Sequence, residues 1–171
     1  METRNHRFRR LATSRMSHVY QDMNLIANLG NNTSKYFLTP NEVSELFSAY
    51  QAKGDEVHQY FQSPVTLVNT VIPVFTFTTN ESVPEADQHK HEQARKLATQ
   101  RMSRVFATAR LIANLSNRNN YSFTPAEVSE LFAGYRAKGE AVEQRFTVLE
   151  TSFTFSTSAT PDKNEDQNKS R

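Results

Sequence analysis

The chain contains one long sequence pattern twice, and this internal repeat limits its possible folds more than any other feature. Residues 11–29 read LATSRMSHVYQDMNLIANL and match LATQRMSRVFATARLIANL at residues 97–115, with 12 of 19 positions identical. Residues 39–61 read TPNEVSELFSAYQAKGDEVHQYF and match TPAEVSELFAGYRAKGEAVEQRF at residues 124–146, with 15 of 23 identical. Shared composition does not produce agreement at this level, so the chain is a tandem duplication of a unit of about fifty residues.

The first part of each unit carries apolar residues every three or four positions, which is the spacing of one face of an α helix. Residues on such a face usually belong to the core, so these are predicted to pack against other helices. Leucines on one side widen the apolar arc enough to contact more than one neighbouring helix. The predicted core positions are Phe8, Ala12, Met16, Val19, Met23 and Ile26 in the first copy, and Ala98, Met102, Val105, Ala109 and Ile112 in the second.

The second part of each unit begins with a complete helix-start signal. Thr39 is a favourable N-cap, Pro40 fits the first helical position, and Glu42 stands where it closes a capping box. The second copy repeats the signal with Thr124, Pro125 and Glu127. A second α helix is therefore predicted to begin at this point in both copies.

Two glycines, Gly54 and Gly139, fall in step with the apolar residues of the second helix. A glycine inside a helix costs about 1 kcal/mol relative to alanine, so its presence needs a reason. Either another helix approaches closely at this point, or the helix breaks there. The apolar spacing resumes in phase after each glycine, which favours a close approach.

These patterns predict an all-α fold made of two antiparallel helical hairpins, the first repeat at residues 7–61 and the second repeat at residues 93–146. One hairpin of about fifty residues buries too little apolar surface to be comfortably stable alone. Two hairpins can cover each other. The predicted fold is therefore a four-helix bundle with a pseudo-two-fold axis, equivalent to a fused homodimer, and a monomeric pseudo-dimer is expected.

The segments outside the repeats have a different composition. Residues 62–92 are predicted to be a linker that is extended over residues 65–77, where β-branched and aromatic side chains dominate, and flexible over the polar residues 80–92. Residues 147–171 are predicted to be an extended segment followed by a disordered tail, because residues 156–171 contain no large apolar side chain.

A short echo follows each unit, with FTFTT at residues 75–79 and FTFST at residues 153–157. Two arrangements are open: the segments pair as short strands, or their phenylalanines lie in grooves of the bundle. In either case they are candidates for docking or for binding a partner. The candidate residues are Phe75, Phe77, Phe153 and Phe155.

No constellation of catalytic residues is visible, so no catalytic, cofactor-binding or metal site is predicted. The chain has no cysteine, and none of its glycines belongs to a phosphate-binding loop. His89 and His91 form a His-x-His pattern beside two acids, but they lie in the segment predicted to be flexible, whereas metal sites need preorganised ligands. No run is long and apolar enough for a membrane span, and the lack of cysteine favours a cytoplasmic location.

Charge is distributed unevenly between the helices. Residues 4–29 carry five arginines and one aspartate, and residues 93–118 carry six basic residues and no acid. Basic helices suggest nucleic-acid binding, although these side chains scatter around the helix, and pairing with the more acidic second helices is the alternative. The candidate contacts are Arg95, Lys96, Arg101, Arg104, Arg110 and Arg118.

The sequence thus favours a non-catalytic helical module that binds a protein partner or supports an assembly, because it combines apolar helical faces with no visible catalytic group. The alternative is a nucleic-acid-binding accessory protein that uses the basic first helix of each repeat.

Overall fold

The structure, a computed structural model, describes residues 1–63, 71–147 and 152–155 of the chain. This part of the chain forms four α helices and no β strand, so the all-α prediction is confirmed there. Short 3₁₀ turns precede α3 and follow α3 and α4, at Glu85–Asp87, Asn114–Ser116 and Gln144–Phe146. The helices are α1 (Arg4–Asn31), α2 (Pro40–Gln62), α3 (Gln88–Ala113) and α4 (Pro125–Glu143).

Both second helices begin at the predicted capping boxes. The Thr39 side chain accepts a hydrogen bond from the Glu42 N–H, and the Glu42 carboxylate accepts one from the Thr39 N–H at 2.9 Å. Thr124 and Glu127 form the same pair at the start of α4, with the returning bond at 2.8 Å. Two backbone N–H groups that would otherwise lack a partner are thus satisfied at the start of each of these two helices.

Each helix has its main neighbours in the other repeat. The close backbone contacts of α1 are with α3 and α4, and those of α2 are with the same two helices. The two helices of one repeat approach each other at far fewer points than any of these four pairs. Packing of each repeat as a closed antiparallel hairpin is therefore not confirmed, because the wide apolar arc of each helix is covered by the helices of the other repeat.

All of the predicted core positions in the first helices are buried. Val19, Met23 and Ile26 of α1 have no exposed surface, and Met102 and Val105 of α3 are equally covered. Full burial of a side chain of this size contributes about 1.5–3 kcal/mol. The α1–α3 contact is the most extensive in the bundle and forms the centre of its core.

At the crossing of α2 and α4 two tyrosines lie face to face. The rings of Tyr50 and Tyr135 are parallel within 2°, with centroids 4.1 Å apart. Each hydroxyl donates to the backbone carbonyl of the other tyrosine, at 2.6 and 2.7 Å. A Cβ atom on Gly54 would lie 2.3 Å from the Tyr135 ring, and one on Gly139 would lie 2.3 Å from the Tyr50 ring. Both helices continue through their glycines, so the close-approach prediction is confirmed and a helix break is wrong.

The segment between the repeats is more ordered than predicted at its carboxyl end. Because α3 begins at Gln88, residues 88–92 are helical, and the prediction of a flexible segment is wrong there. Residues 71–84 have no helix or strand, but they include Val71 and Phe75, both buried in the core. The predicted extended stretch at residues 65–70 and the predicted disordered tail at residues 156–171 lie outside the described residues.

Candidate binding grooves

The groove between α2 and α3 holds residues 75–79, and it is called the filled groove below. The backbone N–H of Phe75 donates to the Ser103 hydroxyl at 3.0 Å, and that hydroxyl lies 3.3 Å from the Phe75 carbonyl, to which it donates. The Phe75 ring is 4 % exposed and meets Phe106 edge-on, with centroids 6.0 Å apart. Ser103 thus forms hydrogen bonds with the backbone of Phe75, while Phe106 packs against the Phe75 ring.

Glu45 of α2 holds the other end of the same segment. Its carboxylate accepts hydrogen bonds from the N–H and hydroxyl of Thr78 and from the N–H of Thr79, the last at 2.9 Å. Burial opposes ionisation of Glu45, but the hydrogen bonds from Thr79 and Thr78 outweigh it and lower the pKa to about 2. The ionised carboxylate is therefore the form that binds the segment.

Arg95 of α3 contacts both residues 75–79 and the start of α2. Its guanidinium donates to the Thr79 carbonyl at 2.9 Å and lies over the Phe77 ring, 4.7 Å from the centroid. It also donates to the carboxylate of Glu42 at the start of α2. A planar guanidinium can make both contacts at once, because it stacks on a ring through its face and donates from its edge.

The Glu42 carboxylate behind Arg95 is completely buried, at 0 % exposure. The Nε2 atom of His91 lies within hydrogen-bonding distance of both Glu42 oxygens, at 2.9 Å. A buried carboxylate is costly unless charged or polar donors surround it, and here His91, Arg95 and the Thr39 N–H supply them. This cluster fixes the start of α2 on α3 and holds the Arg95 side chain in place.

A second groove of about 290 Å³ lies between α1 and α4, and it is called the open groove below. Its polar lining matches that of the filled groove when the two repeats are aligned. Ser17 takes the place of Ser103, and Glu130 that of Glu45. Arg9 and Tyr20 match Arg95 and Phe106, and the apolar lining comes from Ala12, Met16 and Leu131.

The polar groups of the open groove hold no extended segment in this structure. The Ser17 hydroxyl donates to the Thr13 carbonyl of its own helix at 2.7 Å. No hydrogen bond or ion pair to Glu130 occurs among the residues that the structure describes. Arg9 lies 3.7 Å from the carboxylate of Glu127, and its side chain is 68 % exposed.

The lining of the open groove also departs from that of the filled groove at one end. Phe8 stands at the position that Ala94 has in the second repeat, and its ring packs on Phe61 and Phe123. Asn5 stands at the position of His91 and donates to both Glu127 oxygens, at 3.1 and 3.2 Å. A larger apolar side chain therefore precedes Arg9 in the open groove than precedes Arg95 in the filled groove.

The four predicted docking phenylalanines have different surroundings. Phe75 lies in the core and Phe77 is half-buried under Arg95. Phe153 and Phe155 are 77 % and 82 % exposed, and their rings touch edge-on, with centroids 5.0 Å apart. No strand pairing joins the two segments within the described parts of the chain.

The six basic residues predicted to contact nucleic acid are not brought together in one set. Arg101 donates to the Leu25 carbonyl of α1, and Arg104 pairs with Asp22 of α1 at 3.1 Å. The others lie in separate places: Arg95 in the filled groove, Arg118 with its guanidinium 4.2 Å from the Phe123 ring centroid, Arg110 half-buried, and Lys96 exposed.

Sequence reasoning missed Glu45 and Ser103. Each has the appearance of an ordinary polar residue on the solvent side of an amphipathic helix, and no local pattern marks either as a ligand of backbone groups. Their partners are at least 28 residues away in the chain, in a segment whose path the sequence does not reveal. Only the folded arrangement brings these groups together.

The described residues contain neither a metal-binding cluster nor a membrane-spanning helix. In residues 1–63, 71–147 and 152–155, no group of three or more histidine, aspartate, glutamate or cysteine side chains has the geometry to hold a metal ion. His91 is bonded to Glu42, and His89 is exposed. Across the same residues, no helix combines the length and the apolar character needed to cross a membrane.

Comparison with known proteins gives no relative. No protein-family model, no curated protein and no solved structure matches this chain.

Proposed function

We propose that this protein is a non-catalytic helical interaction module whose grooves bind extended Phe-Thr-Phe segments. The observation that carries this proposal is the binding of residues 75–79 in the filled groove. Its backbone N–H groups donate to the Ser103 hydroxyl and the Glu45 carboxylate. The Phe75 ring packs on Phe106, and the Phe77 ring stacks under the Arg95 guanidinium. Backbone bonds that supply affinity, with pockets for alternate side chains that supply specificity, are a general way of recognising extended peptides.

We further propose that the two repeats are related by a pseudo-two-fold axis, as in a fused homodimer, so that the chain works as a monomeric pseudo-dimer with two related grooves. The reciprocal tyrosine bonds at the α2–α4 crossing support this proposal. A second pair of contacts also supports it, because Lys53 lies 4.9 Å from the Phe106 ring centroid and Lys138 lies 5.1 Å from that of Tyr20. These are matching positions of the two repeats.

A binding role suits the polar chemistry of the grooves better than catalysis does. Ser103 and Glu45 form hydrogen bonds with backbone groups of residues 75–79. His91 is hydrogen-bonded to the buried Glu42. Nucleic-acid binding has less support, because Arg95 donates to Glu42 in the filled groove and Arg104 pairs with Asp22 of α1. We propose the cytoplasm as the location, since a fold without cysteine needs no oxidising compartment.

The test is binding of a fluorescein-labelled peptide with the sequence of residues 71–80 to the full chain. Phe153 and Phe155 are both changed to serine in this chain, so that its own exposed phenylalanines do not compete. Fluorescence anisotropy is expected to show saturable binding with a Kd on the order of 10–100 µM, since few anchoring side chains are involved. The control peptide carries serine in place of both phenylalanines and is expected not to bind.

Equal binding of the two peptides, or no binding of either, would overturn the proposal. A labelled DNA duplex measured in the same way tests the alternative. Affinity that is micromolar at low salt and falls steeply as salt rises would indicate phosphate contacts and favour a nucleic-acid-binding protein.

A further inference from the structure

We infer that the Phe-Thr-Phe segment at residues 153–155 binds the open groove of its own chain, in the way that residues 75–77 bind the filled groove. This inference rests on the proposed function and names the occupant of the second groove. It makes the segment a built-in competitor that any outside ligand of the open groove must displace.

Residues 153–155 have the same Phe-Thr-Phe sequence as the segment bound in the filled groove. Residues 153–157 read FTFST, and the bound segment at residues 75–79 reads FTFTT. Phe153 and Phe155 are among the most exposed large apolar side chains of the described structure. Their rings already lie edge-on at 5.0 Å, close to the 4.9 Å between Phe75 and Phe77 in the filled groove. Docking would remove two aromatic rings from water without changing their mutual arrangement.

The open groove offers a counterpart for most contacts of the bound segment. The Ser17 hydroxyl donates to Thr13 and can still accept the backbone N–H of Phe153, as the Ser103 hydroxyl accepts that of Phe75. The Tyr20 ring would receive the Phe153 side chain, as Phe106 receives that of Phe75. Glu130 has no hydrogen-bond partner among the described residues and would accept backbone N–H groups, as Glu45 does.

The surroundings of Phe155 in the open groove would differ from those of Phe77 in the filled groove. Arg9 is exposed and able to lie over the Phe155 ring, as Arg95 lies over Phe77. Phe8 lines this groove at the position that Ala94 has in the second repeat, so Phe155 would lie less deeply than Phe77. The open groove therefore binds its segment more weakly than the filled groove does, which keeps it accessible to a competitor.

The chain is long enough for this contact within one molecule. Arg145 at the end of α4 touches Gly30, since a Cβ on that glycine would lie 2.6 Å from the Arg145 carbonyl oxygen. From Gly30 back to Ser17 the path along α1 is about 20 Å, at 1.5 Å per residue. The eight residues from Arg145 to Phe153 span at most about 26–29 Å when extended. The segment thus reaches the groove with little excess length, and its tethering raises its effective concentration there.

The experiment compares the natural full chain with the Phe153→Ser, Phe155→Ser chain. The probe is a fluorescein-labelled peptide with the sequence of residues 152–158. If the segment fills the groove about 80–90 % of the time, removing it lowers the Kd of the peptide about five- to tenfold. In ¹H–¹⁵N spectra, the double substitution is expected to shift amide signals around Ser17 and Glu130 and to leave those around Ser103 and Glu45 unchanged.

A matched pair of substitutions locates the binding in the Phe153→Ser, Phe155→Ser background. Glu130→Gln is expected to weaken peptide binding at least about fivefold, since hydrogen bonds to a charged acceptor are the stronger kind. Glu140→Gln changes an exposed glutamate of the same helix outside the groove and is expected to have no effect. Equal losses for both substitutions would contradict binding in the open groove.

The remaining outcomes are distinct. Equal peptide affinity for the natural and double-serine chains would overturn this inference and leave the proposed function standing. No peptide binding to either chain would overturn the proposed function as well. Sedimentation across a wide concentration range tests the source of the segment. A dimer that forms in the natural chain and is lost in the double-serine chain would show that a second copy supplies it, which also overturns the intramolecular contact.

Discussion

Glu45 and Glu130 occupy matching positions on α2 and α4, yet only Glu45 receives the backbone of an extended segment. Glu45 accepts hydrogen bonds from Thr78 and Thr79, whereas Glu130 accepts none among the described residues. One chain therefore presents two related side-chain arrangements, one with a segment bound and one without. This difference allows most experiments on one groove to be controlled by the matching change in the other.

Glu45→Gln is expected to loosen residues 75–79 without unfolding the bundle. The substitution removes the charge from an acceptor of several hydrogen bonds, and bonds to charged groups contribute about 1.5–3 kcal/mol. Hydrogen exchange at the amides of Thr78 and Thr79 should become faster, while exchange in the core of α1 stays slow. Glu130→Gln is the matched control and should leave exchange at Thr78 and Thr79 unchanged.

The same carboxylate predicts how stability depends on pH. Docking lowers the pKa of Glu45 from 4.5 to about 2, so its contribution is complete above the unfolded pKa and is lost as pH falls through the folded pKa. The difference in Tm between the natural chain and the Glu45→Gln chain should therefore be constant above about pH 5 and shrink towards zero by about pH 2. A difference that does not change across this range would contradict the role of the ionised carboxylate.

Phe75→Ala and Phe153→Ala form a second matched pair, because the two side chains begin the two echo segments. Phe75 is buried against Phe106, so its truncation is expected to cost about 3–5 kcal/mol in the free energy of unfolding. Phe153 is exposed, and its truncation should change that free energy by less than about 0.5 kcal/mol. Urea denaturation measures both, and similar losses for the two variants would contradict the difference in burial.

Gly139→Leu should destabilise the bundle by about 1–3 kcal/mol through overpacking. A side chain there meets the Tyr50 ring, which is stacked on Tyr135 and bonded through its hydroxyl, so the ring has no room to move. Thermal unfolding should show a fall in Tm of about 2–4 °C per kcal/mol for a chain of this size. Ala133→Leu, an exposed change on the same helix, should leave the Tm nearly unchanged.

Local features of the fold were predictable because their causes are local. The capping boxes at Thr39 and Thr124 involve residues three positions apart, and the sequence alone places both helix starts correctly. The apolar spacing through Gly54 and Gly139 indicated a continuous helix with a close neighbour, and the structure has the neighbour at that point. Each of these predictions depends on a few adjacent turns of chain.

Relationships between distant segments were not predictable in the same way. Periodicity shows which face of a helix is apolar, but it does not show which helix covers that face, so the preference of each helix for the other repeat was missed. The start of α3 was also missed, because His89 and His91 stand among polar residues that are typical of a loop. His91 is buried and hydrogen-bonded to Glu42, which is 49 residues away. No pattern in the sequence near either residue indicates this contact.

The preference of each helix for neighbours in the other repeat has a consequence for folding and for divergence of the sequence. Neither repeat has a core of its own, so loosening one exposes the apolar face of both, and the bundle is expected to unfold in one cooperative step. Separate fragments carrying residues 1–63 and 71–147 should be largely unstructured alone and gain helix when mixed. If each repeat folds only against the other, deletion of either one would cost the whole fold. Side chains that line the grooves have no such constraint, and those around Glu45 and Glu130 already differ.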